Sequence, residues 1–153
     1  MGQTGCTGPT SDESRWARLM EGNQLLLTSR GDEARAIFLK VWDEATANAD
    51  HFCACAVAHM LGVMEPHPPE WKLRWQRAAL EHAELVRDGR VDGWYPSLYI
   101  NLGKVYRLLD QPAEAIRCYE LAEARVKALD ASPYVDVIRA NIEKVLVELR
   151  TMG

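Results

Sequence analysis

The sequence predicts an all-α protein, a row of antiparallel helical hairpins with about seven helices in all. Three observations predict it. No segment alternates apolar and polar residues for long enough to form a strand, and apolar positions recur instead at helical spacing. Short polar or proline-bearing turns divide the chain at intervals suited to helices. Finally, features superimpose when the chain is shifted by 81 residues: Gly22 falls on Gly103, Glu33 on Glu114, Ala34 on Ala115, Phe38 on Tyr119 and Val41 on Ala122. A constant offset through both helices of a hairpin marks one structural unit used twice.

The elements follow in order. Residues 1–10 hold three glycines, three threonines and a proline without an apolar pattern, which predicts a disordered tail. Residues 11–153 read as a single domain. Ser11 or Asp12 caps a first helix that runs to about Ser29. A turn at Arg30-Gly31-Asp32 leads into a second helix over 33–48, which closes a hairpin spanning 11–48. The third helix, 50–64, carries "FCACAVAHMLGVM", apolar nearly all round as in a helix buried between neighbours. Pro66, Pro68 and Pro69 stop it, and a fourth helix over 70–86 completes the hairpin 50–87. "RDGRVDGWYP" is the longest interruption. Helices over 96–109 and 112–129 make the third hairpin, 96–129. Ser132 then caps a last helix, 133–150, with Pro133 as its first residue. Its apolar stripe is Val135, Ile138, Ile142, Val145, Leu146 and Leu149, opposite Arg139, Glu143, Lys144 and Glu148.

The most regular stretch is "SLYINLGKVYRLLDQPAEAIRCYELAEA", residues 97–124. Where two helices cross closely, one presents a small residue so that the other can seat a large one. Gly103 admits the return helix, Ala115 and Ala122 keep it close, and Tyr106 and Tyr119 fill the gaps. The set Tyr99, Leu102, Gly103, Tyr106, Ala115, Tyr119 and Ala122 resembles the signature of the tetratricopeptide repeat, a helix–turn–helix unit of about 34 residues. The usual closing proline is Lys127 here. Gly22, Leu25, Ala34, Phe38 and Val41 match in the first hairpin. In the middle hairpin "HMLG" with Gly62, and Trp75 and Ala78, fit only if the proline-rich turn is about three residues short. The resemblance covers residues 16–129. It implies a three-repeat α-solenoid, with the last helix as the extra capping helix that often ends such arrays.

Composition narrows the function classes. The formal net charge is −4, from 18 basic and 22 acidic residues that are well mixed, and no basic stripe appears, so nucleic acid is not an expected partner. No apolar run approaches the ~20 residues of a membrane span, and "MGQTGCTGPTSDES" lacks the apolar core of a signal peptide. Gly2 starts no complete myristoylation pattern, because position 6 is cysteine. Cys6, Cys53, Cys55 and Cys118 then read as reduced thiols, and the expected compartment is the cytoplasm. Arginine outnumbers lysine 13 to 5, which points to a GC-rich bacterial genome.

Chemistry-bearing motifs are sparse. None of His51, His59, His67 and His82 has a Ser, Cys or Asp beside it in a nucleophile motif, and the glycines stand in turns rather than phosphate loops, so no enzyme and no cofactor is expected. Glu81 and Glu84 share their helix with Arg77 and Arg87 and read as a solvated, ion-paired face. His51, Cys55 and His59 stand at i, i+4 and i+8 of one helix. The ends are ~12 Å apart, too far to share one metal, so the cysteines read as small buried hydrophobes and no metal site is assigned. Trp75 reads as core. Trp94 stands in the long interruption, where anchoring of that loop and contact with a ligand are equally good readings.

What the resemblance implies is a concave side lined by the first helix of each hairpin, where an extended peptide segment or a partner protein lies. Counting from Gly22 and Gly103 puts Asn23, Ser97, Asn101 and Lys104 on that face, with Arg107 flanking it. If Gly62 sets the register of the middle hairpin, His59 joins them; if Trp75 sets it, Cys53, Val57 and Met60 do. A terminal-carboxylate clamp would need further basic residues where Leu19 and Leu26 stand. The expected function is therefore non-catalytic protein or peptide binding through Asn23, His59, Trp94, Ser97, Asn101, Lys104 and Arg107. The alternatives are a self-associating structural or adaptor array, homodimers included, and a small-molecule or metal-binding helical protein.

Overall fold

The computed structural model describes residues 11–152; the tail assigned to 1–10, with Gly2 and Cys6, lies outside the described residues. Among these there are seven α-helices and no strand: α1 (Asp12–Leu27), α2 (Gly31–Ala47), α3 (His51–Val63), α4 (Pro69–Leu85), α5 (Tyr95–Leu108), α6 (Pro112–Lys127) and α7 (Pro133–Met152), with a 3-10 turn at Asp92–Trp94 before α5. Each helix packs on the next in the chain, most closely within the pairs α1–α2, α3–α4 and α5–α6, and α1 also touches α3. The architecture is an α-solenoid of three hairpins closed by α7.

Local chemistry sets the boundaries. Ser11, Asp50 and Ser132 cap α1, α3 and α7, each accepting the amide proton three residues on, from Ser14, Cys53 and Val135. Pro69, Pro112 and Pro133 open α4, α6 and α7, where a missing amide proton leaves no gap. Three helices end alike. Ser29, Ala49 and Asp110 adopt positive φ of 62°, 53° and 56°. The following amides of Arg30, Asp50 and Gln111 bond back to the carbonyls of Leu25, Ala45 and Tyr106 at 2.9, 2.8 and 2.9 Å. This is the Schellman ending, normally supplied by glycine, here made three times without one.

Asp50 has a second role. Its other carboxylate oxygen accepts from Arg15 Nε at 3.1 Å, and Arg15, also bonded to Asp12, is 1% exposed. One carboxylate therefore starts α3 and ties α1 to it. Arg18 of α1 grips Glu44 of α2 through both carboxylate oxygens.

The glycine crossings fix the register. A Cβ on Gly22 would stand 2.5 Å from the Phe38 ring, and one on Gly103 2.7 Å from the Tyr119 ring. Both pairs are sixteen residues apart. In the middle hairpin Gly62 faces Gln76, 2.7 Å from its amide nitrogen and only fourteen residues away. So Gly62 sets that register and the turn is two residues short rather than three. Trp75 stands one position before the crossing; it is buried, as a core residue, but does not face the glycine. Of the residues that a register anchored on Trp75 would expose, Cys53 and Val57 are buried in the core, whereas Met60 is half-buried beside His59.

The core runs along the hairpins. α3 is buried over most of its surface, through Cys53, Ala54, Cys55, Val57, Ala58, Leu61 and Gly62. Trp42, Trp75 and Trp71 form a ladder between α2 and α4, with ring centroids 5.0 and 5.9 Å apart, and the Trp71 indole donates to the Leu61 carbonyl at 2.8 Å. α7 packs against α6 and buries Val135, Ile142, Val145, Leu146 and Leu149, with Ile138 half-buried. Among the described residues no helix is long and apolar enough to cross a membrane.

A two-part candidate groove along α1, α3 and α5

The first helices of the three hairpins line one cleft of about 300 Å³. α1 contributes Trp16, Leu19, Met20 and Asn23, and α3 contributes Ala56, His59 and Met60. The 3-10 turn and α5 add Gly93, Trp94, Ser97 and Leu98. These spacings of three and four residues are single stripes on successive helices. Tyr134, from the first turn of α7, closes one side. The wall is aromatic: Phe52 stacks between Trp16 and Trp94, with centroids 5.2 and 4.9 Å away, and the Arg90 guanidinium lies 4.1 Å from the Phe52 centroid. Trp94 thus anchors the 3-10 turn on α3, through Phe52, and also lines the cleft.

Polar groups are few and poorly paired. Asn23 Oδ1 and His59 Nδ1 are buried and have no hydrogen-bond partner among the described residues; Trp75 Nε1 and Gln76 Oε1 share that condition. Nearly all buried polar atoms in folded proteins are paired, so two such atoms on adjacent helices of one cleft mark it out. Burial holds the His59 imidazole below its ordinary pKa, only partly opposed by the neighbouring Gln76 amide, so the ring is neutral near pH 7.

A second cleft, of about 660 Å³, lies at the other end of α3 and α5, with α4 as a further wall, between the second and third hairpins. Asn101, Lys104 and Arg107 of α5 line it together with Gly62, Glu65, Lys72 and Gln76. The seven residues singled out from sequence therefore divide: Asn23, His59, Trp94 and Ser97 meet in the aromatic cleft, and Asn101, Lys104 and Arg107 in the cationic one. The His59–Gln76 contact connects the two clefts. Sequence reasoning passed over Trp16 and Met20, although they precede Asn23 by seven and three residues on the same stripe. It also passed over Tyr134, for which a capping helix offers no local signal.

The remaining titratable groups are placed elsewhere. His51 does not join Cys55 and His59; its Nδ1 faces His82 Nδ1 at 3.1 Å, and His82 also meets Trp42 edge-on. Burial pushes the Cys53 and Cys55 thiols up to about 12 and Cys118 to about 11, so all three are protonated and weakly nucleophilic near pH 7. Among the described residues no three His, Cys, Asp or Glu side chains converge as metal ligands. Comparison with protein-family models, curated proteins and solved structures found no match.

Proposed function

We propose that the chain is a three-repeat tetratricopeptide-type array that binds a peptide segment or a partner protein along α1, α3 and α5, without catalysis. The observation that carries this reading is the aromatic cleft, with the unpartnered Asn23 carbonyl and neutral His59 set in an otherwise apolar wall. An extended peptide offers what those groups lack: backbone N–H and C=O groups at regular spacing, and apolar side chains for the Trp16, Met20, Met60 and Trp94 surfaces. Rigid aromatic anchors beside an adaptable methionine pair suit such an occupant. The free, buried Cys53, Cys55 and Cys118 and the arginine-rich usage support the reading of a reducing, bacterial cytoplasm.

Selection of a peptide library against the immobilised protein tests this, with Trp fluorescence of Trp16 and Trp94 as the second readout. Selected peptides should change the emission and bind at least tenfold more weakly to Asn23→Ala with His59→Leu. Undiminished binding to Met20→Arg with Met60→Arg, which fills the cleft with charge, would move the site elsewhere. The alternative of self-association draws on α7, whose Val137, Val147 and Met152 are 69%, 61% and 74% exposed. A chain that stays monomeric by light scattering at all concentrations would count against that alternative, and a dimer that persists when Val137 and Val147 are changed to serine would move its interface off α7.

A further inference from the structure

The second cleft differs from the first in kind. At the glycine crossing of the outer hairpins the residue facing glycine is aromatic, Phe38 or Tyr119. In the middle hairpin it is Gln76, a primary amide only 1% exposed, whose Oε1 has no hydrogen-bond partner among the described residues. A buried amide oxygen left without a partner is unfavourable, and an aromatic ring at this crossing is what the same molecule uses twice. Gly62, lacking a Cβ, lets the Gln76 carboxamide reach the wall of the cleft.

Around that amide positive charges outnumber negative ones. Lys72 stands one turn before Gln76 on α4, and Asn101, Lys104 and Arg107 follow one another at three-residue steps on α5. The lining holds three cations and one carboxylate, Glu65, which is bound to Lys72. Arg107 lines the cleft while ion-paired with Glu148 of α7 at 3.6 Å. Lys104 is exposed and has no ion pair among the described residues. A local positive excess on a chain with net charge −4 is not an average property of its surface. Ammonium, guanidinium and amide N–H groups are all donors, so the cleft offers donors well in excess of acceptors. Its volume is that of an ordinary ligand site.

We propose that this cleft is an anion-binding site for carboxylate or phosphate groups, in which Lys104 supplies the unpaired charge, Arg107 adds the charge it shares with Glu148, and the amide N–H groups of Gln76 and Asn101 orient the anion. Lys72, already neutralised by Glu65, shapes the wall. A free polyanion and an acidic protein segment present the same chemistry here, and the assignment does not depend on what the aromatic cleft takes. The basic residues come from the second and third hairpins, whereas a clamp for a terminal carboxylate would draw on the first, where Leu19 and Leu26 stand.

The test is an amide NMR titration of the full chain with tripolyphosphate, citrate and a hexaglutamate peptide at constant ionic strength. At least one probe should give saturable shifts at Gln76, Asn101, Lys104 and Arg107. Lys104→Glu with Arg107→Gln should weaken that probe at least tenfold, while Lys40→Glu on α2 should leave it within twofold. Lys104→Ala alone, at an exposed position, should still weaken it about threefold and guards against misfolding of the double variant. Tighter binding of hexaglutamate than of the small anions assigns the site to an acidic segment, and the reverse order to a free polyanion. Shifts no larger than those produced by chloride, or equal weakening by Lys40→Glu, would overturn the proposal.

Discussion

Asp50 and His59 illustrate how single side chains set local behaviour in opposite ways. Asp50 is fully engaged, capping α3 with one oxygen and holding Arg15 with the other. His59 is nearly its converse, a buried imidazole with one nitrogen unpartnered. Burial lowers the pKa of His59, and burial followed by the neighbouring His51 lowers that of His82, against a smaller opposing pull from Glu81. The linkage sign follows. With the folded pKa below the unfolded one, the unfolded chain takes up protons first as pH falls, so stability is full above the ordinary histidine pKa of about 6.5 and declines below it. Melting temperature should therefore drop between pH 7.5 and 5.0, well above the carboxylate range. His59→Gln should narrow the drop, since it removes one contributing group and leaves the His51–His82 pair. A melting temperature independent of pH over this interval would show that neither ring is held neutral by the fold.

At the scale of the element, the hairpin crossings behave as units, and each glycine predicts its own cost of substitution. Alanine gains about 1 kcal/mol over glycine in a helix interior. At Gly22 and Gly103 that gain is opposed by overpacking against an aromatic ring whose nearest atoms would lie at 2.5 and 2.7 Å, and overpacking typically costs about 1–3 kcal/mol. At Gly62 the obstructing atom is the end of the Gln76 side chain, which can swing aside. Urea unfolding should show Gly22→Ala and Gly103→Ala destabilised by about 1–2 kcal/mol and Gly62→Ala close to neutral; equal losses at all three would mean that Gln76 is as immobile as the rings. The same crossings explain what could be read in advance. The outer hairpins repeat glycine, alanine and aromatic at one offset, so their helix bounds were legible to within two residues. The middle hairpin replaces the aromatic by Gln76 and loses two residues in its turn, so a pattern read along the chain fits two registers, and only packing against α3 decides between Gly62 and Trp75. The endings at Ser29, Ala49 and Asp110 were illegible in conformation for a related reason: left-handed backbone without glycine is imposed by the helices on either side, not by the residue. The pairing of His51 with His82 and the arrival of Tyr134 in the cleft depend on contacts distant in sequence, for which no local spacing exists.

At the scale of the whole molecule, a stack of hairpins buries its units against neighbours only, so its last unit needs a cover. α7 supplies it: one face buries Val135, Ile142, Val145, Leu146 and Leu149 next to α6, and Arg150 pairs with Glu120 of α6 at 2.8 Å. Tyr134, 60% exposed, extends the same helix to the aromatic cleft. Cover and groove are therefore joined in one element, and two changes should separate them. Deleting residues 133–153 removes the cover, leaves the apolar face of α6 in water, and should lower melting temperature and solubility together. Tyr134→Ala removes only the part that reaches the cleft. Tyr134 is exposed and its removal leaves the Ser132 cap in place, so stability should change by less than about 0.5 kcal/mol and the melting curve should overlay that of the intact chain. Peptides recovered by selection should nonetheless bind it several-fold more weakly, because one wall of the cleft is gone. Differential scanning calorimetry and light scattering on both variants, with a peptide titration of the second, make the measurement. A truncated chain that stays monomeric and as stable as the full one would show that α7 covers nothing needed, and unchanged peptide affinity in Tyr134→Ala would confine the groove to α1, α3 and α5.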